Sequence, residues 1–295
     1  MIMNNNWYKK EQPLLGITGL GGGVDGLSVV GAATKTYLDE VFKTYVYTGD
    51  STGSRNITNN IDLSGEGGMV WTKSRTSGYD YHLFNTASGL NKYMVTNSDA
   101  AESVIGGGDS NYDNTLKSFN TDGFTLGSSN IVNGSSDFVS WTFRKQKKFF
   151  DMQTYTGDGG GDRTLSHDLG SVPGVMFLKC TSHTGSWFVY HKSLSSANKF
   201  LYLQTSNSEQ SSSGVFGDTA PTSTQYTAGY DNNVSGRTYI VYLFAGGDSE
   251  GPFGDSSDKD AVACGSYTGN GSDNGPTVTL GWEPQWILIK RASAN

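Results

Sequence analysis

A chain of 295 residues with a formal net charge of −7 and an isoelectric point near 5.0 lacks the clustered positive field that grips a phosphate backbone, so no nucleic-acid partner is expected. It has no apolar run of the roughly 18 to 20 residues that a membrane helix needs and no leader of basic, apolar and small residues in order, so neither membrane insertion nor export by the general secretory route is expected. Its 40 glycines, 16 tyrosines and 14 phenylalanines stand beside only 6 prolines, a balance that suits short strands and many turns and predicts an all-β protein.

Residues 1–40 match nothing else in the chain. Leu14, Leu15, Ile17, Leu20, Leu27, Val29 and Val30 are too apolar for a solvated tail and too interrupted by glycine to form a core alone. Packing against another protein is the simplest use of such a segment, and folding back on the first module is the alternative. "GLGGGVDG" (19–26) lacks the Lys-Ser/Thr and the βαβ frame of a phosphate loop. Thr34 to Phe42 is expected to form two turns of helix.

Two long copies follow. "VYTGDSTGSR" (46–55) answers "TYTGDGGGDR" (154–163), with Phe42 on Phe150, Tyr47 on Tyr155 and Arg55 on Arg163. Further along, "MVWTKS" (69–74) answers "VMFLKC" (175–180), "NKYMV" (91–95) answers "NKFLY" (198–202), and "FVSWTF" (138–143) answers "YIVYLF" (239–244), always in the same order. Matched turns and matched apolar positions over roughly 100 residues mark a duplicated structural unit. The units are placed at 41–148 and 149–248, each a β-sandwich of seven or eight antiparallel strands in which the repeated "YTGDG" is the hairpin joining the first two. Each is expected to pack separately. The basic run Arg144 to Lys148 between them reads as a solvated connection.

The stretch 249–262 reads as an acidic, flexible Gly/Ser-rich linker. Calcium held by Asp248, Glu250, Asp255, Asp258 and Asp260 is the alternative, at a spacing that matches no known loop. Residues 263–295 open a third copy, with "SYTGNGSDNG" (266–275) and with "WILIKR" (286–291) falling on "VMFLKC". With only its first third present, this copy either continues in a longer polypeptide or borrows neighbours to bury Trp286, Ile287, Leu288 and Ile289.

Chemistry-bearing residues are sparse. Glutamates fall in tails, turns and polar loops, and no strand carries the E-x-D-x-x-E pattern that glycan-cleaving sandwiches place on one face. His82, His167, His183 and His191 read as surface or edge residues with no nucleophile elbow nearby. Cys180 reads as a buried thiol, with a Cys180–Cys264 disulfide as the alternative. Zinc lacks ligands, and no metal or cofactor is expected. Sugar-binding loops combine aromatic rings with Asn and Asp, and the candidates here are Tyr79 with Asp80, Tyr112 with Asp113, and Tyr230 with Asp231 and Asn232. Trp71, Trp141 and Trp187 fall in matched strands and are assigned to the core.

"WYKKEQPLLGITGLGGG" followed by units of the type "YTGDG…VPGVMFLKC…WFVYHKSL…GRTYIVYLFAGG" resembles the tail-fibre-like structural proteins of tailed phages of cyanobacteria, whose repeat is similar to the concanavalin A-like lectin/glucanase sandwich. The resemblance implies a non-enzymatic virion protein whose N-terminal segment, with Trp7, Tyr8, Leu14, Leu15, Ile17 and Leu20, fastens it to an adaptor, nozzle or baseplate protein of the tail. It further implies a homotrimer that projects its sandwiches toward a host-surface glycan. A carbohydrate-binding module and a glycan depolymerase are the alternatives.

Overall fold

The computed structural model describes residues 36–104, 114–247, 251, 253 and 259–293. The six anchor candidates between Trp7 and Leu20, the pair Tyr112 and Asp113, and Asp248, Glu250, Asp255 and Asp258 lie outside the described residues.

The chain is all-β, and every strand pair is antiparallel. The first unit comprises β1 (Phe42–Thr48), β2 (Arg55–Thr58), β3 (Gly68–Ser74), β4 (His82–Asn85), β5 (Lys92–Val95), β6 (Ser103–Val104), β7 (Leu116–Asn120), β8 (Gly123–Leu126), the single turn α1 (Asn130–Asn133) and β9 (Asp137–Arg144). The second comprises β10 (Phe150–Thr156), β11 (Arg163–Ser166), β12 (Pro173–Cys180), β13 (Phe188–His191), β14 (Lys199–Tyr202), β15 (Gln210–Ser211), α2 (Ser213–Phe216), β16 (Gln225–Ala228) and β17 (Thr238–Ala245).

Each unit has the same plan. A six-stranded sheet runs β1-β9-β3-β4-β5-β6 in the first unit and β10-β17-β12-β13-β14-β15 in the second, and a smaller sheet, β2-β8-β7 or β11-β16, accompanies it. The second unit carries α2 at the chain position that β7 holds in the first.

The large sheets are apolar on both faces, and strand alternation sorts the side chains into separate layers. In β9, Phe138 joins Tyr47, Ile57, Val70, Phe84 and Phe124 in a core private to the first unit, while Phe143 faces the other way. In β17, Tyr239, Val241 and Leu243 join Met176, Leu178 and Tyr226 in a core private to the second unit, while Ile240, Tyr242 and Phe244 face the other way. The outward sets meet. Phe42, Met69, Trp71, Leu83, Met94 and Phe143 of the first unit form one buried cluster with Phe150, Phe177, Trp187, Val189, Leu201 and Phe244 of the second. The two units are therefore not packed separately: they share a third core, in which matched residues of the two copies oppose one another.

Polar bonds fasten the same seam. The Asn85 amide donates to the Tyr242 hydroxyl at 3.0 Å, the Trp187 indole to the Val95 carbonyl at 3.0 Å, and the Lys179 ammonium to the Asp99 carbonyl at 3.0 Å. Lys179 is fully buried and also donates to the Gly185 carbonyl; burial lowers its pKa to about 8.

Four expectations are revised. β1 and β2 do not pair: β1 lies beside β9 in the large sheet and β2 beside β8 in the small one, so the repeated turn is a corner between sheets rather than a hairpin. The helix expected over Thr34 to Phe42 is a single 3-10 turn at Leu38–Glu40, because Phe42 is already committed to β1 by its place in the shared core. The linker is pinned where it is described. Phe253 is buried in the shared core, stacks edge-on to Phe149 at 5.7 Å, and exchanges backbone bonds with Lys259. Within the basic run, Lys145 is half-buried, with its ammonium 2.8 Å from Oδ1 of the buried Asp151.

Candidate functional site

The twice-written turn is explained by what its side chains hold. In the first unit the Asp50 Oδ1 accepts from the Thr52 N–H (2.9 Å), the Thr52 hydroxyl (2.7 Å) and the Asn133 amide (2.9 Å), while Arg55 pairs with Oδ2 at 3.0 Å. In the second the Asp158 Oδ1 accepts from the Gly160 N–H (2.9 Å) and the Asn233 amide (2.6 Å), with Arg163 at 3.4 Å from Oδ2. The Tyr47 hydroxyl donates to the Val132 carbonyl and the Tyr155 hydroxyl to the Asn232 carbonyl, both at 2.7 Å. The N–H of Thr52, its hydroxyl and the Asn133 amide, joined by the Arg55 charge, hold the Asp50 carboxyl down to about 2. A Cβ on Gly49 would lie 1.7 Å from the Gly134 carbonyl oxygen and one on Gly157 2.2 Å from that of Val234, so only glycine fits either corner. The Tyr, Asp and Arg side chains of both copies of the motif are thus bonded within the fold.

The glycan candidates divide differently. Tyr79 is half-buried against the first private core, and its carbonyl accepts the Lys73 ammonium at 2.7 Å. Asp80 is exposed and accepts from the Asn97 amide at 2.8 Å. Beside them Tyr81, which sequence analysis did not single out, exposes its ring with the Lys73 ammonium 5.2 Å from the centroid. In the other group, Tyr230 is 53% exposed, Asp231 is exposed, and Asn232 is buried with its amide bonded to the Val215 carbonyl. The two groups lie on loops of different units, after β3 and after β16, and no hydrogen bond or ring contact among the described residues joins them.

Two histidines read as surface or edge residues are in fact buried. His82 is 3% exposed, its ring 5.3 Å from that of Tyr93, with Nδ1 lacking a partner. Burial lowers its pKa to about 4, against the opposing pull of the Asp80 charge. His167 accepts the Leu169 N–H at Nδ1, so its Nε2 carries the hydrogen donated to the Thr222 carbonyl; burial lowers its pKa as well. Alternation explains His82, since it shares a face with the buried Phe84. Cys180 and Cys264 are not joined, and the Cys264 thiol donates instead to the Ala245 carbonyl at 3.5 Å.

At the junction of the units an open cleft of about 480 Å³ is lined by Leu63, Glu66, Phe119, Lys145 and Met152 among others. Its lining mixes polar and apolar side chains, and Lys145 is held by Asp151. Burial pushes the Asp151 carboxyl up, and bonds from Lys145, Gln153 and the Asp168 N–H together bring it below the ordinary range. Among the described residues no group of three or more His, Cys, Asp or Glu side chains is placed to hold a metal ion.

The family described as a domain of unknown function, DUF7483, matches residues 39–295, which takes in both units and the segment that follows them, where no strand is formed among the described residues 263–293. No curated protein and no solved structure matches the chain.

Proposed function

The chain belongs to the DUF7483 family, and on that premise we propose that it is a virion structural protein, a tail fibre or fibre-like appendage of a cyanobacterial tailed phage. Its N-terminal segment fastens it to the tail, and its sandwiches project toward the host. The observation that carries this reading is the shared core: two tandem modules fused through their aromatic faces form a stiff body, as a spacer under mechanical load requires, rather than two beads on a flexible string. The resemblance of the N-terminal segment and of the units to tail-fibre-like proteins of cyanobacterial phages adds the virion context. The protein works by position and assigns no reaction to its side chains.

Gold-labelled antibody against the chain, applied to purified particles, is expected to decorate the tail. Particles that lack the chain altogether would overturn the proposal. Deletion of residues 1–30 is expected to abolish incorporation while leaving the sandwiches folded, and normal assembly of the truncated protein would remove the anchor from the account.

A second reading, carbohydrate binding as the main purpose, is favoured by the exposed Tyr230 ring next to the exposed Asp231. A glycan array separates the two: binding by the full chain that is lost in Tyr230→Ala supports a lectin, and no binding leaves the spacer.

A further inference from the structure

We propose that the loop after the fifth strand of each unit is a socket for the repeat that comes next, and that residues 285–292 fill the socket of the second unit and take a third place around the shared core. The first socket is at the joint between the two units. There the Glu102 N–H donates to the Thr181 carbonyl at 2.9 Å, and the Lys179 ammonium donates to the Asp99 carbonyl at 3.0 Å. Lys92 lies 3.5 Å from the Glu102 carboxylate behind them.

The same bonds recur one repeat later. With "NKYMV" set on "NKFLY", Lys92 falls on Lys199 and Glu102 on Glu209; with "VMFLKC" set on "WILIKR", Lys179 falls on Lys290 and Thr181 on Ala292. The Glu209 N–H donates to the Ala292 carbonyl at 2.7 Å, the Lys290 ammonium donates to the Thr205 carbonyl, and Lys199 lies 3.5 Å from the Glu209 carboxylate. The lysine's acceptor shifts by one position along the loop, since Asp99 falls on Ser206.

The joint is made of two different surfaces, a loop on one repeat and a lysine on the next. A two-fold pairing would send Lys73 to the loop of the second unit, but Lys73 donates to the Ser74, Ser77 and Tyr79 carbonyls of its own. Such a head-to-tail joint passes from repeat to repeat and closes into a ring where the rotation allows. The other end of the segment supplies the closure. Trp286 lies 6.1 Å from the Trp71 ring and 5.6 Å from that of Phe143, and the Gln285 carbonyl accepts the Thr44 hydroxyl at 3.4 Å, all in the first unit. Met69, Val175 and Trp286 hold one matched position and all pack in the shared core. Matched rings of the two units meet there as well, Trp71 with Phe177 at 6.4 Å and Phe143 with Phe244, as copies around a common axis must.

The test is amide hydrogen exchange of the full chain, resolved by residue. The unsubstituted protein is expected to protect the Glu209 amide as it protects that of Glu102. Lys290→Met is expected to speed exchange at Glu209 by about tenfold and to leave Glu102 unchanged, with protection kept in Lys290→Arg. Trp286→Ala, whose ring contacts lie on the first unit, is expected to speed Glu209 as well, because one segment spans both units. An unprotected Glu209 amide in the unsubstituted chain, a reading that needs no variant to fold, overturns the socket, as does protection that survives Lys290→Met. Protection that survives Trp286→Ala overturns the third place around the core.

Discussion

Phe143 and Phe244 hold the same position in two copies of one repeat, and they touch, edge to face, with ring centroids 5.6 Å apart. The contact sets one unit's sheet against its own likeness and makes the pair of sandwiches one body. Around it Phe143 also meets Phe150, Phe149 and Trp286, so a single ring ties the first unit, the second unit and the C-terminal segment together.

Phe143→Ala is expected to destabilise the whole chain by about 3 to 5 kcal/mol, the cost of a large cavity in a close-packed interior. Phe244→Ala should cost about as much. The double variant should lose less than the two losses added, because the two cavities merge. Urea unfolding of the three variants checks this, and additive losses would place the rings in independent surroundings.

The corner clasp gives a second expectation. Asn133→Ala removes an amide that bonds Asp50, Thr52 and Gly127 from a buried position, and Asn233→Ala removes its counterpart that bonds Asp158 and Gly161. Each is expected to cost about 1 to 3 kcal/mol through acceptors left without donors. Gly49→Ala should be at least as damaging, since its Cβ has no room beside the Gly134 carbonyl. Thermal melts of the three proteins measure the effect, and unchanged Tm values would show that the motif does not hold the corner.

His82 supplies a pH dependence. Its folded-state pKa, about 4, lies below the ordinary 6.5, so the unfolded chain binds the proton more readily in between. The stabilisation by neutral His82 is therefore complete above pH 6.5 and is lost as pH falls toward 4, amounting to about 3 kcal/mol at the lower end. His167 and His191 are displaced in the same direction by burial and add to the slope. Asp80 and Lys73 are the charges that act on the His82 ring, the first raising and the second lowering its pKa. Urea midpoints from neutral to mildly acid pH should fall steeply for the unsubstituted chain and less steeply for His82→Gln. Parallel slopes would remove His82 from the cause.

Much of the fold was legible because strands announce themselves by alternation and duplication repeats the announcement. "FVSWTF" and "YIVYLF" marked β9 and β17, and Trp71 and Trp187 were rightly placed in the interior. The shared core was harder to read. β17 is buried on both faces, and a strand apolar on both faces does not say whether its second cover is its own unit or a neighbour. The corner was mistaken for a hairpin because glycine and Asp report the bend but not which strands the ladder joins. Phe253 was lost among acidic and glycine neighbours, where one aromatic gives no periodicity. Asn232 looked like a loop donor, but its burial depends on the fold of the 3-10 turn at Tyr230–Asn232, which sequence alone does not specify.

Differential scanning calorimetry of the full chain tests most directly whether the paired sheets make one stiff body. The account predicts one transition whose calorimetric and van't Hoff enthalpies agree, shifted as a whole by Phe143→Ala. Two transitions, with Phe143→Ala moving only one of them, would contradict it.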